Sequence, residues 1–200
     1  MKVAAPLALP PAAAVLERTR PRNAVVIGAS FYALSALVFS ATLIGAYTTF
    51  RAGVSPWPPE GVKKENYFGS LLLGAAGMLM LTAEWLVWSV HKGFRRQTAQ
   101  AAGLAALLLL SMLNGVAFIV DIAGFGAGSH AYGPIFYAFM ITATLTQVAG
   151  MAALAAGLAR IGGRQISASE PQLARAVSIV LHVAALTWVM VWGALYAASR

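Results

Sequence analysis

Residues 130–163, HAYGPIFYAFMITATLTQVAGMAALAAGLARIGG, decide how this chain is read. The stretch opens from a charge-free turn at Gly128, Ser129 and His130, runs apolar from Tyr132 to Leu158, and stops at Arg160 and the Gly162-Gly163 pair. At ~1.5 Å per residue such a helix reaches ~40 Å, enough to cross a hydrocarbon layer of ~30 Å with some tilt. It therefore reads as a membrane span with a basic end. Inside it lie Thr142, Thr144, Thr146 and Gln147, followed by Gly150, Ala153, Ala156 and Gly157. Small residues let helix backbones approach, and hydroxyls and amides in a bilayer seek partners on neighbouring helices. This span is expected to pack against protein and to be the one around which the chain is arranged.

The composition carries the same reading to the whole chain. Of its 200 residues 60% are hydrophobic and only 10% charged, with a mean hydropathy of +0.75. A water-soluble domain of this size does not need so much apolar surface, so an integral membrane protein of all-α class is expected. There is no Cys, which excludes disulfides, thiolate metal sites and haem attachment through CxxC. The net charge of +8 follows membrane topology in its distribution, and nucleic-acid binding has no support.

Outward from residues 130–163, four further apolar segments appear, giving spans at about 24–50, 67–90, 98–123, 132–159 and 174–197. They form one membrane domain, 23–200, behind an N-terminal tail of residues 1–22. The tail could be mistaken for a signal peptide. Pro6, Pro10 and Pro11 break its apolar run, and Arg18, Arg20 and Arg22 follow that run instead of preceding it, so an uncleaved cytoplasmic tail is expected. With the N terminus inside, Lys2, Arg18, Arg20, Arg22, Lys92, Arg95, Arg96, Arg160, Arg164 and Arg175 fall on the cytoplasmic side, against Arg51, Lys63, Lys64 and Arg200 outside. The positive-inside rule then places the C terminus outside. The first outer loop, RAGVSPWPPEGVKKENYFG, is Pro-rich; Pro56, Pro58 and Pro59 should fix its shape, with Trp57 and Tyr67 at the interface.

Few residues could carry chemistry. A haem clamped in a bundle needs axial ligands from facing helices at one depth. His91 lies at the inner boundary, His130 in an outer loop and His182 alone in the fifth span, so no pair clamps an iron. No ligand spacing suits copper or zinc, and no phosphate-binding loop is present. Glu84, Asp121 and His182 are the ionisable groups inside the spans. Leaving such a group in hydrocarbon costs at least ~2.5 kcal/mol, which makes each a candidate functional residue. Glu84 lies seven residues before His91, and His182 seven after Arg175. Both are then ~10 Å from the basic boundary, and they are expected to pair if their helices are neighbours. Asp121 is near the outer end of its span, where reaching water is cheap. Asn114 and Gln147 are expected to form interhelical hydrogen bonds, and Trp85, Trp88, Trp188 and Trp192 to form an aromatic belt.

Several short motifs stand out: RPRN at 20–23 with SALVFSATLIGAYTTFRA at 35–52; WPPEG at 57–61, with Trp57, Pro58 and Pro59; AYGPIFY at 131–137, with Tyr132, Gly133, Phe136 and Tyr137, and Gly150 downstream; and LHVAALTW at 181–188, with His182 and Trp188. In this order they resemble the first span, the WPP loop, the YGSxFY motif and the WHFVDxxW pattern of subunit III of the haem-copper (cytochrome c) oxidases, in the short five-helix bacterial form. The family's intramembrane polar residues fall on Ala36, Ala143, Thr146 and Ala185, so roles in lipid binding or proton delivery through those side chains do not carry over.

The resemblance implies an accessory, non-catalytic subunit in a bacterial cell membrane. It would brace a larger subunit I-like catalytic partner, hold phospholipid, and leave haem and copper to that partner. A paralogue serving a nitric oxide reductase or another membrane redox complex is the nearest alternative, and a substoichiometric assembly factor or scaffold is another. A small transporter or channel would need broken helices or a polar pathway, which these continuous spans lack.

Overall fold

The computed structural model describes residues 23–60, 62, 66–162 and 171–197. Among them there is no strand, and five helices are long and apolar enough to cross a membrane. They are α1 (Ala24–Gly53), α2 (Asn66–His91), α3 (Arg95–Ile122), α4 (Tyr132–Gly162) and α5 (Gln172–Trp192), the last continued by a π-helical turn, Gly193–Ala197. The expected tail at 1–22, with its basic residues, and Lys63, Lys64, Arg164 and Arg200 lie outside the described residues.

The helices run up to three residues past the apolar segments at either end. Hydropathy marks where the hydrocarbon stops, whereas backbone hydrogen bonding continues into the headgroup region. The clearest case is the α2–α3 corner. Gly93 takes φ +71°, with its N–H on the Val90 carbonyl and the Phe94 N–H on the Ser89 carbonyl. These are the two bonds of a Schellman motif, which needs a residue that tolerates the left-handed region. The corner lets α3 start at Arg95, and the hydroxyls of Ser89 and Thr98 meet across it at 3.0 Å.

Helices α2, α3, α4 and α5 form a ring in which each packs on the next and α5 closes back on α2. Short connections make ring neighbours antiparallel. Outside this ring lies α1, against α5 and α4. Its contact is a narrow seam of Ala33, Ala36, Leu37, Ser40, Leu43, Ile44 and Tyr47, the spacing of a coiled-coil seam. Phe31, Leu34, Val38 and Phe39 face outward.

The organising helix is therefore α5, and not the 130–163 span from which the sequence was read. It packs on α1, α2 and α4, and 56% of its apolar window is buried, against 44% for α4 and 6% for α1. Ala174, Ala176, Ser178, Ala184 and Ala185 let neighbours close on α5 from several sides, whereas α4 turns Ile141, Leu145 and Val148 outward. The threonines of α4 also differ from expectation. Thr142, Thr144 and Thr146 each bond a carbonyl four residues back on their own helix, at 2.7, 2.9 and 3.1 Å, so none needs a partner on another helix.

Candidate functional site

Polar contacts lace α2 to α5 at several levels. Nearest the basic end, the Arg175 guanidinium lies 3.5 Å from Nε2 of His91. Further in, Nε2 of His182 is 3.5 Å from Oε1 of Glu84. The Ser178 hydroxyl sits between them, 3.4 Å from Oε1 of Glu84 and 3.3 Å from Nδ1 of His182. Nδ1 of His182 is also 2.8 Å from the Ser178 carbonyl on its own helix. At the other end the indoles of Trp188 and Trp192 donate to the Gly69 carbonyl and the Ser70 hydroxyl, both at 3.3 Å. Depth counting from the basic boundary thus brings Glu84 and His182 to one place. Helical periodicity explains why. Arg175, Ser178 and His182 lie three and seven residues apart on α5, as Glu84 and His91 do at seven on α2, so each set shares one face.

The Glu84 group is not inside the bundle. The Glu84 side chain keeps 69% of its surface exposed and that of His182 30%. A lane of exposed residues continues along the same face of α2: Ser70, Gly74, Gly77, Leu81, Glu84, Trp88 and His91.

A second cluster caps the opposite end. Trp57, in the α1–α2 loop, stands edge-on to Tyr47 and Tyr132 with ring centroids 5.6 and 5.3 Å away, and Tyr47 reaches Phe139 at 6.2 Å. Phe125 lies 5.1 Å from Phe136 and 4.8 Å from His130, while the Tyr137 hydroxyl donates to the Phe125 carbonyl at 2.7 Å. The first turn of α4 is held by the Gly133 N–H donating to Nδ1 of His130 at 3.1 Å. A Cβ at position 133 would stand 2.7 and 2.8 Å from the Ala127 and Gly126 carbonyl oxygens, so only glycine lets the loop lie this close to the helix. Trp57 is therefore a packed component of this cap, with Pro58 and Pro59 half-buried behind it.

Other sequence-derived candidates stand apart from both clusters. Asn114 is exposed and donates to the Leu110 carbonyl of its own helix at 2.8 Å, so it does not make the interhelical bond expected of it. Its position on the helix turns it away from the ring. Gln147 is fully buried, yet neither its Oε1 nor its Nε2 has a hydrogen-bond partner among the described residues. Trp188 is fully buried and bolts α5 to α2, which removes it from the expected belt; Trp88 stays exposed against Phe94, with ring centroids 5.7 Å apart. Gly150 admits Leu109 and Leu181 to within 3.3 and 3.6 Å of where a Cβ would be, the close approach expected of a small residue. Asp121 is exposed at the end of α3.

The positions where the resembled family carries polar groups are closed by packing. Ala143 and Ala185 are fully buried, and the Thr146 hydroxyl is satisfied by the Thr142 and Ala143 carbonyls of its own helix. Missed by the sequence reading was Ser178, the hydroxyl between Glu84 and His182. Its signal was present: it lies four residues before His182, one helical turn away. Among the described residues no three of His, Cys, Asp and Glu gather as a metal site would require. No family model matches the chain, and no curated protein matches it.

Proposed function

We propose that this chain is an accessory, non-catalytic subunit III-like protein of a membrane haem-copper oxidase complex, bracing the larger catalytic subunit and holding phospholipid against its outer faces. In this reading the basic end, with Arg95, Arg96, Arg160 and Arg175, lies in the bacterial cytoplasm, and the aromatic cap faces outward. One observation carries the reading. The motif residues that resemble the family, Trp57 on one side and Tyr132, Gly133, Phe136 and Tyr137 on the other, are separated by some 75 positions and yet build one cap. The up-and-down topology brings the two loops to one end of the bundle, and there Trp57 and Tyr132 stand edge-on with ring centroids 5.3 Å apart.

A second reading is favoured by the filling of the polar positions. With Ala143 and Ala185 sealed in the core, the chain suits a paralogue in a nitric oxide reductase or another membrane redox complex that keeps the brace without the side chains the oxidase family places there. An assembly factor has the same requirement.

Purification through a tag on this chain, after gentle extraction, tests these readings. A large multi-span partner at equal abundance, carrying the haem absorption, is the expected outcome. The partner's metals separate oxidase from reductase, and substoichiometric recovery in the mature complex indicates an assembly factor. Stoichiometric haem on this chain alone, or no redox companion at all, would refute the proposal.

A further inference from the structure

Ionisable side chains in membrane helices face a bundle interior or a water-filled cavity, because exposure to hydrocarbon is costly. Glu84 breaks that pattern within this chain. It sits two turns inside the basic end of α2, points out of the ring with 69% of its side chain exposed, and is held there by Ser178 and His182 from α5. Thr82, one of its neighbours in sequence, is buried and bonded to its own helix. The carboxylate is the group turned outward. The lane on the side of it away from the basic end suits a close backbone approach: at Gly74 and Gly77 an added Cβ would meet nothing within 4 Å.

We infer that the α2–α5 groove around Glu84, Gly74 and Gly77 is the docking surface for a transmembrane helix of a different polypeptide, one that offers a Lys or Arg at the depth of Glu84. Charge decides the occupant. A second copy of this chain, related by a two-fold axis along the membrane normal, would set Glu84 against Glu84 at the same depth. It could supply no cation there, since every described Lys and Arg lies within four residues of a helix end. A partner with Lys or Arg at that depth completes the Glu84–Ser178–His182 group and removes its exposure to lipid. The inference deepens the proposed accessory role, resting on it for the existence of a membrane partner, and assigns the face that partner uses.

Site-specific photocrosslinking in native membranes tests it, with a benzophenone amino acid at the exposed Leu81, one turn from Glu84, and at the exposed Val38 of α1 as the comparison. The expected product is an adduct from Leu81 to another polypeptide, within a span containing Lys or Arg, and an adduct yield at least about tenfold lower in Glu84→Gln. Adducts from Leu81 only to lipid or to a second copy, a crosslinked span without Lys or Arg, or an unchanged yield in Glu84→Gln would each overturn the inference. The two proposals fail separately. A haem-bearing partner that crosslinks from Val38 and not Leu81 removes the docking face and keeps the accessory role. A partner caught at Leu81 that carries neither haem nor copper does the reverse.

Discussion

Helices α1 and α5 are both apolar enough to cross a membrane, yet 6% of the one's apolar window is buried and 56% of the other's. The difference lies in placement and not in hydropathy: α5 packs on α1, α2 and α4, whereas α1 lies outside the ring. Lipid solvates Phe31, Leu34 and Phe39 of α1 as well as protein would, so nothing drives them inward. Ala176, Ser178, Ala184 and Ala185 instead give α5 a surface that neighbouring helices can approach, and dispersion contacts accumulate there. Small side chains do not by themselves select the centre, since Gly28, Ser35, Ala41 and Gly45 of α1 face outward.

The largest expected effect sharpens that contrast. Trp188→Ala removes a fully buried indole that donates to the Gly69 carbonyl, and should cost about 3–5 kcal/mol. Phe39→Ala, at an outward position of α1, should cost under about 0.5 kcal/mol. Unfolding of both in mixed detergent micelles, followed by circular dichroism, would compare them directly; equal losses would mean that α1 is no less embedded than α5.

Glycine substitutions probe the same difference. Gly133→Ala drives a methyl against two backbone carbonyls and should destabilise by about 1–3 kcal/mol. Gly28→Ala on α1 meets open space and should be neutral, or stabilising by up to about 1 kcal/mol through helix propensity. Thermal denaturation in one detergent would give both signs.

A smaller effect, of opposite sign, is expected at Gln147. Its amide is buried without a partner among the described residues, so Gln147→Met, close in volume, should stabilise the chain by about 1 kcal/mol. A loss of stability on that substitution would show that the amide is satisfied in the membrane by a group from outside the chain.

A small effect is also expected for Glu84→Gln in the isolated protein. The carboxylate is largely exposed, so micellar stability should change by under about 1 kcal/mol. A large loss there would place the role of Glu84 inside this fold instead of at a partner.

What the sequence discloses follows from which quantities lie along the chain. The five spans are readable because each is set by its own length of apolar residues. The meeting of Glu84 and His182 is readable too, because both lie seven residues from a basic residue at one boundary, so depth follows from counting. Rotation about a helix axis is harder to read. Whether Asn114 faces a neighbour or the outside depends on which helices flank α3, and nothing within residues 98–123 records that. Trp188 looks like a belt residue by its distance from the C terminus, yet Gly69 and Ser70, more than a hundred positions away, decide that α2 closes over that end of α5. The hub was misjudged for a related reason. The polar residues of α4 suggested partners, but four-residue spacing lets its threonines bond back to their own backbone.

The π-helical turn at Gly193–Ala197 carries a consequence for how the last helix can vary. Tyr196 lies within this wider turn, and its ring packs on Gly69, where a Cβ would come within 2.9 Å of it. Removing a single residue from this turn would wind the terminus back to ordinary pitch and swing Tyr196 off the glycine, while conserving hydropathy and almost all of the length. Single-residue deletions here should therefore do more harm than substitutions that exchange one apolar side chain for another.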